Sequence, residues 1–456
     1  MHSLAGYDFT ANIHLYQYED YNILLDVNSG AIHLLDEIAF AYINNLIKYE
    51  GDFYRALEFC TFKYGEEAFK VMEELLITYG DGAIFTEPCN EYIDYSQMTV
   101  KAVCLNIAHL CNLRCKYCFA SQGNFGQKPA LMPFEIGKRA IDFLVQESKG
   151  IRNLEVDFFG GEPLLNFAVV KEIVSYAREI EQNTDKVFNF TLTTNGVLLD
   201  EEIIDYIITE NISIILSLDG RPETNDRNRV TPEGEGTYNT ILPNFKEMLN
   251  RNPSSYYIRG TFTRDNLDFS QDLAHIVDLG FNSLSLEPAI GDDEYAIREE
   301  DLPQVLAEYD NLTKKLLEYY RAGQEISFFH YNLNLQKGPC IAKRQTGCGA
   351  GVEYIVVTPE GDIYPCHQFV GEKDYYMGNV IDRSLDNNIK NIFSQHTLAN
   401  KAECQRCWAR FFCGGGCHAN NLKATNSLNK PDNISCIMHK NRLEGAIFLD
   451  LLKQIG

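Results

Sequence analysis

The sequence predicts an α/β protein, with a partial (β/α)6 barrel between a winged-helix-like N-terminal module and a Cys-rich C-terminal domain. Residues 101–324 alternate six times between a short strand pattern and a longer helical pattern, which indicates a parallel sheet with right-handed crossovers. Six units are fewer than the eight that close a full barrel, so we expect an open barrel with its site at the carboxyl ends of the strands. Eight cysteines between residues 340 and 436 indicate the C-terminal domain.

The first 85 residues predict a module of three strands and about three helices. Period-two patterns begin near Asn12, Tyr21 and Ala31, with turn signals between them. Apolar residues then recur at helical spacing in two stripes: Ile38, Ala41, Tyr42, Ile43 and Leu46, then Phe69, Val71, Met72, Leu75, Leu76 and Ile77. Residues 86–100 are polar and irregular, which predicts a linker.

The barrel elements follow from the alternating patterns of residues 101–324. Strands are predicted at 102–107, 154–159, 187–193, 212–218, 256–263 and 282–287. Helices are predicted at 133–148, 166–182, 200–209, 237–250, 270–279 and 301–322. After about residue 325 the pattern fades into Gly- and Cys-rich loops, so we expect residues 325–456 to depend on metal for their order.

Composition limits the partners and the compartment. The formal net charge of −24 argues against a nucleic-acid or anionic-membrane partner and allows a basic peptide, although acidity also simply keeps a large protein soluble. No apolar run is long enough to span a bilayer, and no basic-then-apolar segment opens the chain, so a cytoplasmic protein is predicted. In a reducing cytosol, its 14 cysteines are expected to bind metal rather than form disulfides.

Three cysteines follow the first predicted barrel strand in a Cys-x3-Cys-x2-Cys run: Cys111, Cys115 and Cys118. Three thiolates from one loop can hold three irons of a four-iron cluster and leave the fourth without a protein ligand. The amino and carboxylate groups of S-adenosylmethionine can chelate that iron. The run resembles the motif of the radical S-adenosylmethionine (radical SAM) superfamily, which implies a catalytic cluster. Zinc is the alternative, although it usually takes paired Cys-x2-Cys knuckles or a nearby His.

The resemblance extends to other strand ends and implies the contacts of S-adenosylmethionine. In relatives, a Gly-Gly-Glu turn binds the amino group of the cofactor, polar side chains bind the ribose hydroxyls, and an aromatic residue lies against adenine. The matching residues here are Gly160, Gly161, Glu162, Thr194, Asn195, Ser217, Asp219 and Tyr117. Arg259 on the fifth strand is expected to pair with the cofactor carboxylate or to form a structural salt bridge.

The C-terminal cysteines resemble the SPASM domain of radical enzymes that modify peptides and proteins. The resemblance implies two auxiliary clusters with interleaved ligands, and so three [4Fe-4S] clusters in all. Auxiliary cluster I would be held by Cys348, Cys366 and Cys417, with Cys340 either its fourth ligand or no ligand, and auxiliary cluster II by Cys404, Cys407, Cys413 and Cys436. A zinc ribbon at residues 404–417 is the alternative, but it leaves four cysteines unexplained.

Longer matches resemble the maturases of six-cysteine (SCIFF) peptides. They comprise the segment from Cys104 to Ser121, the run Glu155 to Pro163, the run Tyr364 to Gly371 and Cys407-Trp-Ala-Arg. The resemblance implies an enzyme that forms thioether bonds, from Cys sulfur to carbon, in a ribosomally made Cys-rich precursor peptide. It also implies that residues 1–85 are a PqqD-like domain that binds the peptide's N-terminal leader as an added strand, and that flavodoxin or ferredoxin supplies electrons.

Two other functions compete with this interpretation. Sulfatase-maturing (formylglycine-forming) enzymes share both cluster domains, but they carry an aspartate where this chain has His367, and they lack the N-terminal module. A non-enzymatic electron carrier would have no use for an open three-cysteine site within a barrel. Formation of 5′-deoxyadenosine from S-adenosylmethionine separates the enzymes from the carrier.

Overall fold

The computed structural model describes residues 3–88, 93–291, 293–333, 335 and 345–455, and it confirms the predicted fold class. The strands are β1 Ile13–Tyr18, β2 Tyr21–Asp26, β3 Ile32–Leu35, β4 Ala102–Ala108, β5 Asn153–Gly160, β6 Val187–Thr194, β7 Ser213–Ser217, β8 Tyr256–Phe262, β9 Ser283–Pro288, β10 Ser327–Phe328, β11 Tyr354–Val357, β12 Asp362–Tyr364 and β13 Gly378–Asn379. The first three form an antiparallel sheet, and the other ten form one larger sheet.

The α-helices lie between these strands and after them. They are α1 Phe9–Asn12, α2 Glu37–Lys48, α3 Phe53–Tyr64, α4 Glu67–Gly80, α5 Phe134–Glu147, α6 Phe167–Asn183, α7 Glu201–Thr209, α8 Pro222–Asn228, α9 Tyr238–Asn250, α10 Phe269–Asp278, α11 Leu302–Arg321, α12 Asn387–Gln395, α13 Ala402–Gln405, α14 Arg410–Cys413, α15 His418–Thr425 and α16 Asn433–Ile455. Within the described residues, no helix has both the length and the apolar character needed to cross a bilayer.

The barrel sheet matches its sequence pattern closely. The six predicted strands appear as β4 to β9, each within one residue of the predicted bounds, in the consecutive parallel order expected for right-handed crossovers. Side chains alternate along each strand between a face packed against helices and a face towards the barrel interior. In β5, for example, Leu154, Val156 and Phe158 are fully buried in the core, whereas Asp157 and Phe159 face the interior.

The sheet is longer than the six predicted strands, and this corrects the separation of barrel and C-terminal domain. A short strand, β10, adds in parallel to β9, and β11 adds in parallel to β4 at the other edge. The hairpin of β11 and β12 therefore extends the barrel sheet itself. The exposed edge of an open barrel offers unpaired backbone groups, and β11 satisfies those of β4.

The expectation that regular structure fades after residue 325 is wrong for the end of the chain. Residues Asn433–Ile455 form a 23-residue helix, α16, that packs along α11. The buried side chains on α16 include Leu443, Ile447 and Leu449, which join the barrel core. Apolar packing against the barrel therefore stabilises this segment.

The N-terminal sheet is buried on both faces. Ile13 and Leu24 point to a core shared with α2, α3 and α4, whereas Tyr18, Ile23 and Leu25 join the barrel core. The Tyr18 hydroxyl donates to Asp310 on α11 at 2.8 Å. The module is thus packed against the barrel and α16. Two residues of the predicted helical stripes, Phe69 and Ile77, are instead half exposed or more on α4.

Candidate active site

A cavity of about 600 Å3 lies at the carboxyl ends of the barrel strands, where the barrel fold predicts it. Its lining combines the loop after β4, inward residues of six barrel strands, and residues of the C-terminal domain. They include Cys111, Cys115, Tyr117, Cys118, Asp157, Phe159, Gly160, Gly161, Glu162, Thr191, Thr193, Thr194, Asn195, Ser217, Arg229, Arg259, Thr261, Glu287, Tyr354, His367, Gln368, Cys417 and Asn420. The structure therefore brings most of the sequence-predicted cofactor residues to one cavity.

The loop carrying Cys111, Cys115 and Cys118 is held by the segment after α8. The amide of Arg114 donates to the carbonyl of Val230 at 2.7 Å, and the amide of Lys116 donates to the carbonyl of Asn228 at 3.0 Å. All three thiols border the cavity, and each is free of disulfide bonds.

The three thiols have an environment suited to a metal centre. Burial raises the pKa of Cys111 to about 12 and also raises that of Cys115. Such thiols are neutral until a metal displaces their protons. Among the described residues, no His, Cys, Asp or Glu group is arranged for a single metal ion. Three thiols on one cavity-facing loop fit a cluster, in which each thiolate binds a different iron.

The Gly-Gly turn lets two strand ends approach closely. A Cβ on Gly160 would overlap the carbonyl oxygen of Ala108, and one on Gly161 would overlap that of Leu110. The backbone of Gly160 also has a φ of 128°, which side chains rarely adopt. The two glycines therefore pack the turn against the segment leading into Cys111, and they also border the cavity.

Glu162 is buried and held by three donors. Its carboxylate accepts from the Leu164 amide at 3.0 Å, the Thr194 hydroxyl at 2.8 Å and the Asn195 amide at 2.8 Å. Burial raises the pKa of Glu162 to about 7, and these hydrogen bonds oppose the rise. The side-chain amide of Asn195 in turn donates to Asn112 in the cysteine loop at 2.8 Å. The predicted residues Glu162, Thr194 and Asn195 thus form one network beside the cluster loop.

Asp219 occupies a different environment from the one expected for a ribose ligand. Its carboxylate is 1% exposed and accepts from the Tyr117 hydroxyl at 2.7–2.8 Å and from the Thr261 amide at 3.0 Å. Burial raises its pKa to about 6, although Arg229 opposes this. Arg229 also donates to the Tyr117 hydroxyl at 3.0 Å. Asp219 and Arg229 therefore orient Tyr117, while Ser217 on the same strand end borders the cavity.

Arg259 on β8 and Glu287 on β9 bring charged side chains to one wall of the cavity. Arg259 is exposed to the cavity. Glu287 accepts from His330 at 2.7 Å. Burial by itself would raise the pKa of Glu287, but His330, Arg259 and Arg442 together hold it below its ordinary value. Arg259 is thus a cation available to an anionic ligand such as a carboxylate.

A further acidic residue, Asp157, borders the cavity from β5. Asp157 on β5 pairs with Cys104 on β4 and is hydrogen bonded to Thr191 on β6. Burial raises the pKa of Asp157 to about 6, with Glu155 adding to the rise. Cys104 is 1% exposed, borders the cavity and is hydrogen bonded to Tyr354.

The C-terminal cysteines fall into two groups. The thiols of Cys348, Cys366 and Cys417 act on one another electrostatically, and Cys417 borders the cavity. The thiols of Cys404, Cys407 and Cys413 each raise the pKa of Cys436, which burial already raises to about 12. The two ligand sets implied by the resemblance remain predictions. Cys340 lies outside the described residues.

Several cavity residues were missed by sequence reasoning. Arg229, Asp157, Glu287 and Tyr354 were not predicted to border it. The period-two position of Asp157 in β5 was a usable signal, because it places the carboxylate on the interior face. Arg229 gave no such signal, since it follows a short helix, α8, that the pattern did not predict.

His367 stacks near Phe119 and Phe159, at ring-centre distances of 5.1 and 5.2 Å.

Family comparisons agree with this geometry. Residues 105–276 match the radical SAM superfamily model, and residues 348–408 match the SPASM iron–sulfur cluster-binding domain. The chain therefore contains a radical SAM domain followed by an SPASM domain. It is 23% identical over 365 residues to the radical SAM cyclopropyl synthase TigE of Paramaledivibacter caminithermalis, covering 75% of this chain and 72% of TigE.

Two solved structures share the fold. Native anSMEcpe with bound AdoMet aligns with a TM-score of 0.65 at 21% identity, covering 77% of this chain and 98% of its own. Streptococcus suis SuiB bound to the precursor peptide SuiA aligns with a TM-score of 0.52 at 15% identity, covering 95% of this chain and 99% of its own. The SuiB alignment therefore includes most of the N-terminal module, since the chain without residues 1–85 is too short to give that coverage.

Proposed function

We propose that the protein is a radical SAM peptide maturase that forms thioether crosslinks in a Cys-rich, ribosomally made precursor peptide. The observation that carries the proposal is the position of Cys417. It belongs to the group expected to hold auxiliary cluster I, and it borders the same cavity as Cys111, Cys115 and Cys118. A peptide in this cavity can therefore meet both centres at once.

The residues around the cavity suit S-adenosylmethionine and three clusters. Cys111, Cys115 and Cys118 would hold a cluster that, when reduced, would supply the electron for cleavage of S-adenosylmethionine to a 5′-deoxyadenosyl radical. Arg259 provides a cation for the carboxylate of the cofactor, and Glu162 provides an acceptor for its amino group. Tyr117, fixed by Asp219 and Arg229, provides an aromatic surface for a base.

The remaining residues position the peptide. Phe119, Phe159 and His367 form an aromatic wall between the three-cysteine loop and the C-terminal domain. Each crosslink removes one hydrogen from a substrate thiol and one from the acceptor carbon. Cys348, Cys366 and Cys417 would hold a cluster whose iron would lower the pKa of a substrate thiol. The same cluster would supply an acceptor for the electron released on C–S bond formation.

The N-terminal module supports a leader-binding role. In the described residues, β3 pairs only with β2, so its other edge is open to an added strand. Leu34 on β3 is 45% exposed, and His33 contacts the carbonyl of Ala83 just after α4 at 2.9 Å. The β3 edge and the half-exposed side chains of α4 are thus both available to a peptide. SuiB, which shares the fold over most of this module, has been solved with a precursor peptide.

The test uses the full chain, reconstituted anaerobically with iron and sulfide. It is incubated with S-adenosylmethionine, dithionite and a six-cysteine precursor peptide that includes its leader. We expect 5′-deoxyadenosine, and a peptide that loses two hydrogens and one alkylatable thiol per crosslink. A peptide with Ala at the cysteine positions is the matched control and should stay unchanged. Deoxyadenosine with an unmodified Cys peptide would contradict the thioether proposal, and conversion of a Cys to an aldehyde would favour the sulfatase-maturing reaction.

A further inference from the structure

Lys401 is a fully buried lysine between the two groups of C-terminal cysteines. It lies just before α13, its side chain is 0% exposed, and its carbonyl accepts from the amide of Cys404 at 2.9 Å. The ammonium crosses to the three-glycine turn between Cys413 and Cys417, where it donates to the carbonyl of Gly415 at 2.8 Å.

The glycine turn is shaped around this side chain. A Cβ on Gly415 would lie 2.9 Å from Cδ and 3.0 Å from Nζ of Lys401. Gly415 also has a φ of 90°, which a side chain rarely tolerates. Glycine at position 415 therefore leaves space for the side chain of Lys401.

The neighbours of Lys401 include cysteines from both groups: Cys404 and Cys413 on one side, and Cys348 and Cys417 on the other. Gly415, which accepts from the ammonium, lies between Cys413 and Cys417 in the chain. This acceptor is a neutral carbonyl, so it supplies no counter-charge. His396 and His418 also face Lys401, and burial lowers its pKa.

A buried cation without a counter-charge is strongly unfavourable. A four-iron cluster with three or four thiolate ligands carries net negative charge, and two such clusters would supply the missing partner. We propose that Lys401 is the shared counter-cation of the two auxiliary clusters, a positioning residue that raises the reduction potential of both. The inference rests on the proposed function, since it requires both clusters to be present.

The consequence concerns the electron released in crosslinking. A nearby positive charge stabilises the reduced form of a cluster, because reduction adds negative charge. Lys401 would therefore favour acceptance of the electron by auxiliary cluster I. Its place between the cysteine groups lets one side chain act on both.

The test uses the full chain carrying Cys111→Ala, Cys115→Ala and Cys118→Ala, so that only the auxiliary clusters are read. Lys401→Met removes the charge at similar length, Lys401→Arg keeps it, and Lys430→Met removes an exposed lysine of the same domain as the control. Iron content and reduction potentials by redox titration with electron paramagnetic resonance are measured. We expect more negative potentials for both clusters in Lys401→Met, and values near the parent in the other two.

Full iron content with unchanged potentials in Lys401→Met would overturn the inference. If Lys401→Met loses auxiliary iron, Lys401→Arg decides: retained iron supports a role for the charge, whereas lost iron shows that only shape matters and overturns it. A parent that holds no auxiliary clusters would instead contradict the proposed function, so the two failures are distinguishable.

Discussion

The loop of Cys111–Cys118 and the group around Cys436 are both cysteine sites, but they are built differently. The loop presents three thiols to a cavity shared with polar strand ends. The other group has four thiols, Cys404, Cys407, Cys413 and Cys436, and none of them borders that cavity. Three ligands leave one iron open to a small molecule, whereas four close the cluster. A site that performs chemistry therefore differs from a supporting site in two ways. It has one cysteine ligand fewer, and it opens onto the cavity.

The closed group is also tied to another part of the chain. The ring of Trp408 stacks on that of His14 at 3.6 Å, and Arg406 pairs with Asp8 at 2.9 Å. Arg410, which is buried, donates to Asn12, Asn28 and the carbonyl of Ala11. These contacts show that residues 1–85 pack against the group around Cys436 and support it. Deleting the module would therefore disturb more than leader binding, and point variants test its role more cleanly.

The largest effect is expected from removing the open site. Replacing Cys111, Cys115 and Cys118 together by Ala should abolish 5′-deoxyadenosine formation, because the cluster that would bind S-adenosylmethionine is lost. Iron content should fall by about four per chain, one cluster's worth, while the auxiliary clusters persist. Iron analysis and chromatography of the reaction products check this. A parent protein that holds only about four irons, or stoichiometric zinc, would contradict three clusters.

The second prediction concerns Arg410, which joins the N-terminal module to the group around Cys436. Arg410→Ala should lower the free energy of unfolding by about 3–4 kcal/mol, because it leaves several buried acceptors unpaired. Thermal unfolding and the iron content of the auxiliary clusters are the measurements. Arg410→Lys keeps a charge but not the forked geometry, so a partial loss is expected. If Arg410→Ala matched the parent in both measurements, the N-terminal contacts would not support this site.

The third prediction uses the cavity acid Asp157. Burial raises its pKa to about 6, so its contribution to stability is full below about pH 4, its unfolded value, and is lost as the pH rises through 6. Asp157→Asn keeps the neutral form at every pH. Its unfolding free energy should match the parent near pH 4 and exceed it at pH 7.5 by up to about 2–3 kcal/mol. Denaturant titrations of the apoprotein at both pH values check the sign, and a constant difference would contradict the buried assignment.

The smallest effect is expected at the open edge of β3. Leu34→Asp places a charge on a strand edge that we expect to pair with the leader, and should weaken peptide binding by about tenfold, or 1.4 kcal/mol. Uncoupled deoxyadenosine formation should not change. Fluorescence anisotropy with a labelled leader peptide measures the binding. Phe62→Asp is the matched control, because Phe62 is 96% exposed on α3. Equal weakening in both variants would argue against a specific β3 site.

The sequence by itself determined the barrel and the identity of its chemical residues. Periodicity predicted β4 to β9 because a strand buried on one face must alternate, and each strand end carried its polar residues in the local sequence. The Cys111 run was equally local. The resemblance grouped the later cysteines into two predicted ligand sets.

Only the tertiary structure decided the contacts between distant segments. It pairs β11 with β4, packs α16 on α11, and directs Asp219 to Tyr117 rather than to the cavity. It also buries Lys401 between cysteines that are up to 69 positions apart in the chain, Cys348 and Cys417. Sequence patterns report which face of an element is apolar, but not which distant element covers it. Whether a charged side chain is buried depends on which distant elements pack around it, because all of its neighbours together exclude water.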